Sequence, residues 1–337
     1  MGIKNFSKVF TPEIITFKDV KNKKLAVDAY LLLYQSALGS SSVNLLTGPD
    51  GEPTMYISVI IGKCLNFIKN NNECCWVFDY HEKDYISPDK LHELNIRKEK
   101  RKKASEKLNI MKEIDKKYNE LFSSDDEDTI DEKEINQKEI NQKEKQIFSL
   151  DDKMINDCKF ILESFNISYT TAPKNVEAEA VCAKLTEMNI CDITWSCDTD
   201  SVLYGSTTVV REIKSKGKKV FQKYTLSDIL KDNKISINDL YKIGVILGSD
   251  HAPKTPKIGP GTVLKKYKNV ELTTEQLNAV KVFSKNLDIT NLKFMGHEDI
   301  TQKEKKNKII KLIDWAVNTK GFSRSKITSR INKVIDY

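Results

Sequence analysis

Ile193-Thr194-Trp195-Ser196-Cys197-Asp198-Thr199-Asp200 is a short apolar run that ends in two carboxylates. The plan recurs at Leu25-Ala26-Val27-Asp28 and at Cys74-Cys75-Trp76-Val77-Phe78-Asp79. Runs this short and this apolar read as strands buried on both faces, and such strands belong to parallel sheets covered by helices. In open sheets of that kind, ligands bind beyond the carboxyl ends of the strands. Each aspartate stands at such an end. The expected fold is α/β, with a twisted, mainly parallel sheet flanked by helices.

Glu177, Glu179 and Asp250 join Asp28, Asp79, Asp198 and Asp200 as acids at a strand end or the start of a helical pattern. Carboxylates gathered in one place repel one another unless cations neutralise them. Hard cations such as Mg²⁺ prefer oxygen ligands, and a cluster this acidic suits a pair of them. The chain as a whole carries a net charge of +7 over 337 residues. An acidic centre inside a basic protein points to a metal-dependent enzyme acting on a polyanion.

Each motif has a plainer reading. Asp198 and Asp200, at i and i+2, are expected to project to one side of a strand end; an ordinary helix N-cap explains one of them. An EF-hand is excluded, because Leu203 stands where that loop needs glycine and Val209 where it needs glutamate. Glu177 and Glu179 share a direction only at the first turn of a helix, where the dipole favours anions in any case. What the plain readings do not explain is the whole set in one α/β domain.

Cysteine and histidine add little chemistry. Seven cysteines, none in a C-x-x-C pair, read as free buried thiols of a reducing compartment. The four histidines lack zinc-ligand spacing, and none is read as a ligand. No apolar stretch approaches the ~20 residues that span a bilayer, so no membrane contact is expected. The first residues carry no apolar signal region. The protein is expected to be soluble and intracellular.

Charge is uneven along the chain. Residues 90–117 hold 11 basic and 5 acidic residues, 123–145 hold 4 and 9, and 301–337 hold 10 and 3. Two basic segments around an acidic centre favour a nucleic-acid track. Lys90, Arg97 and Arg101, at i, i+7 and i+11, form one stripe of a long charged helix. Residues 81–150 break the α/β rhythm, and the acidic stretch 123–145 is too poor in apolar residues to fold alone. Strands are expected near Val202–Leu203 and Val209–Ile213, with a hairpin turn at Lys216-Gly217-Lys218. Ile258-Gly259-Pro260-Gly261, between two helices, resembles a hairpin that turns backbone N–H groups towards a phosphate, ahead of Lys265, Lys266 and Lys268. No P-loop is present, and no nucleotide cofactor is expected.

Taken together these segments resemble a known family. Met1-Gly2-Ile3-Lys4-Asn5-Phe6, Ala26-Val27-Asp28-Ala29, Val77-Phe78-Asp79 and Ala172-Pro173 resemble motifs of the XPG/flap-endonuclease family in order and spacing. So do Glu177-Ala178-Glu179-Ala180, Asp198-Thr199-Asp200, Leu203-Tyr204-Gly205-Ser206, Leu247-Gly248-Ser249-Asp250 and Ile258-Gly259-Pro260. The resemblance implies a PIN-like nuclease core over 1–240, a helical arch inserted at about 81–150, a helix–two-turn–helix region over 241–290, and C-terminal helices over 291–337 packing back on the core. It implies structure-specific 5′ nuclease activity on branched or flapped DNA, with two Mg²⁺ ions, or Mn²⁺, on the seven acids. Tyr34 matches the aromatic that stacks on a base, and Lys90 and Arg97 match the arch cations. Gly259, Gly261, Lys265 and Lys266 match the duplex-binding turn. Thr54, Lys320, Phe322, Ser323 and Lys326 match the pocket for a one-nucleotide 3′ flap.

The long basic arch resembles flap endonucleases more than junction resolvases. A Holliday-junction resolvase or resection exonuclease of the family, and a non-catalytic scaffold on the same fold, are the alternatives. A K⁺ site at the helix–two-turn–helix is also implied, though Lys254, Pro256 and Lys257 replace the family's small residues there. The family's sliding-clamp tail motif is absent, so that contact is expected to be missing. A monomer is expected.

Overall fold

The three apolar runs lie side by side in one sheet of seven strands. These are β1 (Glu13–Ile15), β2 (Lys24–Asp28), β3 (Glu73–Phe78), β4 (Ser168–Thr171), β5 (Ile193–Trp195), β6 (Thr208–Ser215) and β7 (Lys218–Thr225). This computed structural model describes residues 3–38, 48–49, 51–52, 54–80, 150–215 and 218–335, with 99, 102–103, 105–110 and 113. The expected arch cations Lys90, Arg97 and Arg101 and the acidic stretch 123–145 lie outside the described residues.

The strand order is β1-β7-β6-β5-β2-β3-β4. From β6 across to β4 every pairing is parallel, and β6–β7 and β1–β7 are antiparallel. Val27 sits in register between Trp76 and Trp195. The sheet is thus mainly parallel, and its central strands all deliver their carboxyl ends to one edge.

Among the described residues the sheet is flanked by the helices α1 (Phe6–Val9), α2 (Ala29–Leu38), α3 (Met55–Lys69), α4 (Asp152–Ser164), α5 (Ala178–Glu187), α6 (Asp200–Leu203), α7 (Leu226–Asn233), α8 (Ile237–Leu247), α9 (Pro260–Lys266), α10 (Thr274–Phe283), α11 (Gln302–Asn318) and α12 (Arg324–Asn332). Alternation along each strand divides the residues between the two faces. Leu25, Val27, Trp76 and Phe78 join the larger core with Ile57, Ile60 and Ile61 of α3, Ile161 and Leu162 of α4, Leu312 of α11 and Ile327 and Ile331 of α12. Ala26 and Val77 turn the other way and meet Val181, Cys182 and Leu185 of α5. A third cluster joins α8 to Phe6 and Phe10, to Val209 and Tyr224 of the hairpin, and to Phe283 of α10.

One expectation is corrected. Val202 and Leu203 lie in α6, one helical turn, and not in a strand: β5 ends at Trp195 and the chain has left the sheet. Short β1 escapes a reading by periodicity because it has only three residues, on the hairpin edge. The basic segment 301–337 contains α12, anchored by Ile327 and Ile331 at i and i+4. The seven cysteines are free. Among the described residues no helix is long and apolar enough to cross a membrane.

Candidate active site at the strand ends

Each acid of the set owes its place to a local rule of chain geometry. Asp28 is the last residue of β2, and its Oδ1 accepts from the backbone N–H of Leu31 at 3.2 Å, capping the start of α2. Its Oδ2 accepts from the hydroxyl of Ser196 at 3.1 Å. Asp79 follows β3 and accepts from the backbone N–H of Ala178 at 2.9 Å, so it caps α5 from a distant segment. Glu177 is the N-cap residue of α5 and makes no side-chain cap of its own, while Glu179 lies in the first turn. The pair therefore occupies the entry to a helix, where the N-terminal dipole favours anions.

Asp198 and Asp200 differ in detail from expectation. Neither lies on a strand. Asp198 turns on itself: its Oδ1 accepts from the backbone N–H of Thr199 at 2.6 Å and of Asp200 at 3.3 Å. Asp200 opens α6. Nothing among the described residues hydrogen-bonds its Oδ1, which is buried. Asp250 follows the end of α8, where Gly248 takes φ +92° and an added Cβ would meet the backbone of Lys254 at 2.9 Å.

The seven form one electrostatic set. Burial, and then Asp79, push the Asp28 carboxyl up to about 7. Burial, followed by Asp28, Asp198, Asp200 and Glu177, holds Glu179 well above the usual carboxylate range. Burial also raises Asp198, and burial with Asp198 and Asp250 raises Asp200 well above its ordinary value. Burial disfavours charge and like charges disfavour it further. Perturbed carboxylates of this kind gather at functional sites.

The donor set tests well against a hard divalent ion, because every candidate ligand is a carboxylate oxygen and one buried oxygen lacks a partner. Among the described residues, no three His, Cys, Asp or Glu side chains converge closely enough to enclose an ion by themselves.

Other expected site residues are placed as follows. Tyr34 is half-buried on α2, two turns beyond Asp28. Gly259 caps α9 and Pro260 occupies its first turn; Gly259 and Gly261 have open space where a Cβ would sit. Lys265 and Lys266 are exposed. Thr54 stands at the N-cap of α3, buried, without a side-chain cap bond. Gly321 packs against Pro49, so Lys320–Ser323 lies beside the turn that leads to Thr54. Phe322 is half-buried, and Ser323 and Lys326 are exposed.

Lys320 departs from expectation. It is 5% exposed and its ammonium is bonded to Asp157 Oδ2, with Trp315 beneath it. A buried ammonium requires a carboxylate, and Asp157 supplies it, so Lys320 does not present its charge to a phosphate. The hydroxyl of Tyr56 donates to the same Asp157 oxygen at 2.5 Å.

Sequence reasoning missed Asp157, Tyr204 and His251. The hydroxyl of Tyr204 donates to Glu177 Oε2 at 2.8 Å and lies 3.0 Å from His251 Nε2. Tyr204 stands inside the quoted motif Leu203–Ser206, and His251 immediately follows Asp250, while no quoted motif marks Asp157.

Known proteins give this geometry its relatives. Residues 1–104 match the XPG N-terminal domain and 166–250 the XPG I-region, together more than half of the chain. Flap endonuclease 1 of Methanocaldococcus jannaschii is 30% identical over 261 residues, which span 75% of this chain and 70% of that protein. Flap endonuclease 1 of Methanococcus aeolicus is 29% identical over 346 residues, spanning 99% and 95%. The solved flap endonuclease-1 from Methanococcus jannaschii superposes with a TM-score of 0.69 at 21% identity, over 99% of this chain and 98% of that one, a likeness of fold. Nucleases of this family are generally dependent on divalent metal. The chain belongs to the XPG/flap-endonuclease family, nucleases that hydrolyse the phosphodiester bonds of DNA.

Proposed function

We propose that this chain is a structure-specific 5′ flap endonuclease, acting where single-stranded DNA leaves a duplex, in replication, repair or recombination. The observation that carries the reading is the electrostatically linked set of seven acids, brought together from the ends of β2 and β3, the entry to α5, the turn into α6 and the end of α8. The names of the full-length relatives favour flaps among the family's substrates.

In this reading Asp28, Asp79, Glu177 and Glu179 hold mainly one divalent ion, and Asp198, Asp200 and Asp250, with Glu179, mainly a second. Mg²⁺ is the expected ion and Mn²⁺ its substitute. When bound, the pair supplies activation of the attacking water and neutralisation of the leaving oxygen. The remaining work falls to the chain. Ser196 and the Leu31 amide hold Asp28 in one orientation. Lys90 and Arg97 neutralise charge on the phosphate, with Arg101 on the same track. Tyr34 stacks on a base drawn away from the duplex end. Gly259, Gly261, Lys265 and Lys266 hold duplex phosphates, and Lys254, Pro256 and Lys257, in place of small residues, weigh against K⁺ at that turn. Thr54, Phe322, Ser323 and Lys326 form the 3′-flap pocket, in which Lys320 stays on Asp157 as a strut. The protein acts as a monomer, with a nuclease core over 1–240, a helix–two-turn–helix region over 241–290 and C-terminal helices over 291–337.

The test is cleavage of 5′-labelled single-flap, double-flap, blunt and four-way-junction DNA in Mg²⁺. The expected result is incision at the flap base with a 5′-phosphate on the product, fastest on double flaps. Symmetric incision of four-way junctions would make it a resolvase, and digestion from blunt ends a resection exonuclease. Absence of cleavage with intact DNA binding would leave a scaffold.

A further inference from the structure

Glu177 presents an orientation problem. As N-cap of α5 it would ordinarily turn back to its own helix, yet its side chain makes no cap bond and the Ala178 N–H is taken by Asp79. What holds it comes from two other segments. The Tyr204 hydroxyl, just past α6, donates to Oε2 at 2.8 Å. His251 Nε2 lies 3.0 Å from that hydroxyl and 3.5 Å from the same Oε2. A phenol has one proton to give. With that proton on Glu177, its oxygen accepts from Nε2–H, which selects the Nε2–H form of the imidazole.

The two rings are fixed from behind. Phe283 of α10, 2% exposed, stands 5.0 Å from the Tyr204 ring and 5.2 Å from His251, both edge-on. The His251 backbone N–H donates to Ser249 Oγ at 3.2 Å, holding the turn that also carries Asp250. One carboxylate oxygen of Glu177 is therefore engaged by a rigid aromatic pair, and Oε1 is directed by that engagement.

We propose that Tyr204 and His251 are positioning residues that hold Glu177 in the orientation in which it binds a divalent cation. The proposal rests on the reading of the acid set as a metal site. It ties the turn after α8, and Phe283 of α10 behind it, to the affinity of that site through a hydrogen-bonded pair. Such supporting partners orient carboxylate ligands, and losing one weakens metal binding by about 10- to 100-fold.

The test uses the full chain without DNA, with Mn²⁺ binding read by electron paramagnetic resonance. Tyr204→Phe keeps the ring on Phe283 and removes only the hydroxyl. Its Mn²⁺ affinity is expected to fall about tenfold, with the metal-free melting temperature little changed. His251→Leu should follow it. His251→Gln, whose amide N–H can still donate to the phenol, should restore most of the affinity. Wild-type Mn²⁺ affinity in folded Tyr204→Phe overturns the proposal, and so does wild-type affinity in His251→Leu should Tyr204→Phe fail to fold. If the unaltered chain binds no Mn²⁺, the metal-site reading itself has failed, and that result is distinct because it appears before any substitution.

Discussion

Two regions of this molecule bury charge, and they do so in opposite ways. Behind α3 and α4, Lys320 meets Asp157, and Tyr56 donates to the same oxygen. Under β5, Lys63 meets Glu212, which also takes Lys219, while Lys63 rests over Trp195. In both places the chain supplies the counter-charge. At the ends of β2, β3 and β5 the carboxylates instead face other carboxylates, and burial and mutual repulsion raise Asp28, Glu179 and Asp200. The first kind of site is complete as a structural tie. The second gains from an added cation, and that separates a functional centre from a strut.

Catalysis should show the difference most strongly. Asp198→Ala is expected to lower flap cleavage by roughly a thousandfold, the upper range for losing a preorganised electrostatic contact. DNA binding should persist or tighten, because a negative charge facing phosphates is gone. Gel-shift affinity measured beside single-turnover rates checks both halves. Turnover like that of the unaltered protein would remove Asp198 from the metal set.

The strut should respond in stability instead. Asp157→Ala leaves the Lys320 ammonium buried without its partner, which costs about 3–5 kcal/mol. Urea denaturation reads that loss. Asp157→Leu combined with Lys320→Met should recover most of it, since two apolar groups need no counter-charge. A double variant as weak as the single one would assign the loss to the Tyr56 hydroxyl, left without its acceptor, and not to Lys320.

Acid dependence separates the regions again, with a smaller effect. Asp28 stands near 7 in the folded chain against an ordinary 3.8. Between those pH values the folded chain binds the proton more tightly than the unfolded one, so the contribution of Asp28 to metal-free stability falls as pH rises. Glu212 goes the other way: Lys63 and Lys219 outweigh the cost of its burial and hold it below its ordinary value. Its contribution is present at neutral pH and is lost on acidification. Asp28→Asn should flatten the fall between pH 4 and 7, as read by melting temperature without metal. An unchanged slope would place the titrating group elsewhere.

How far the sequence reveals all this follows the same division. Leu25–Asp28 and Cys74–Asp79 are legible because strand and carboxylate are contiguous, so a local pattern carries both fold and site. Glu177 and Glu179 are legible as the entry to a helix. Asp198 and Asp200 belong to the set, but their geometry is misread, because a strand end is inferred where the chain makes a turn and a single helical turn. Lys320 is misassigned because its partner lies 163 residues away, and no local pattern reports a buried ion pair. Tyr204 and His251 escape for the same reason: their link to Glu177 exists only once α5, α6 and α10 are packed together.

The contrast between a self-compensated strut and a cation-seeking centre comes to one measurement. The melting temperature of the metal-free chain would be titrated with MgCl₂ at pH 5 and pH 8, against NaCl at matched ionic strength. Ligand that binds only the folded state stabilises it by mass action, and Mg²⁺ must displace protons from Asp28 and its neighbours at the lower pH. The account predicts a saturable, Mg²⁺-specific rise of several degrees at pH 8, a much smaller rise at pH 5, and loss of the rise in Asp28→Asn and Asp200→Asn. Equal responses to Mg²⁺ and Na⁺ at pH 8, with both asparagine variants melting below the unaltered protein, would contradict it.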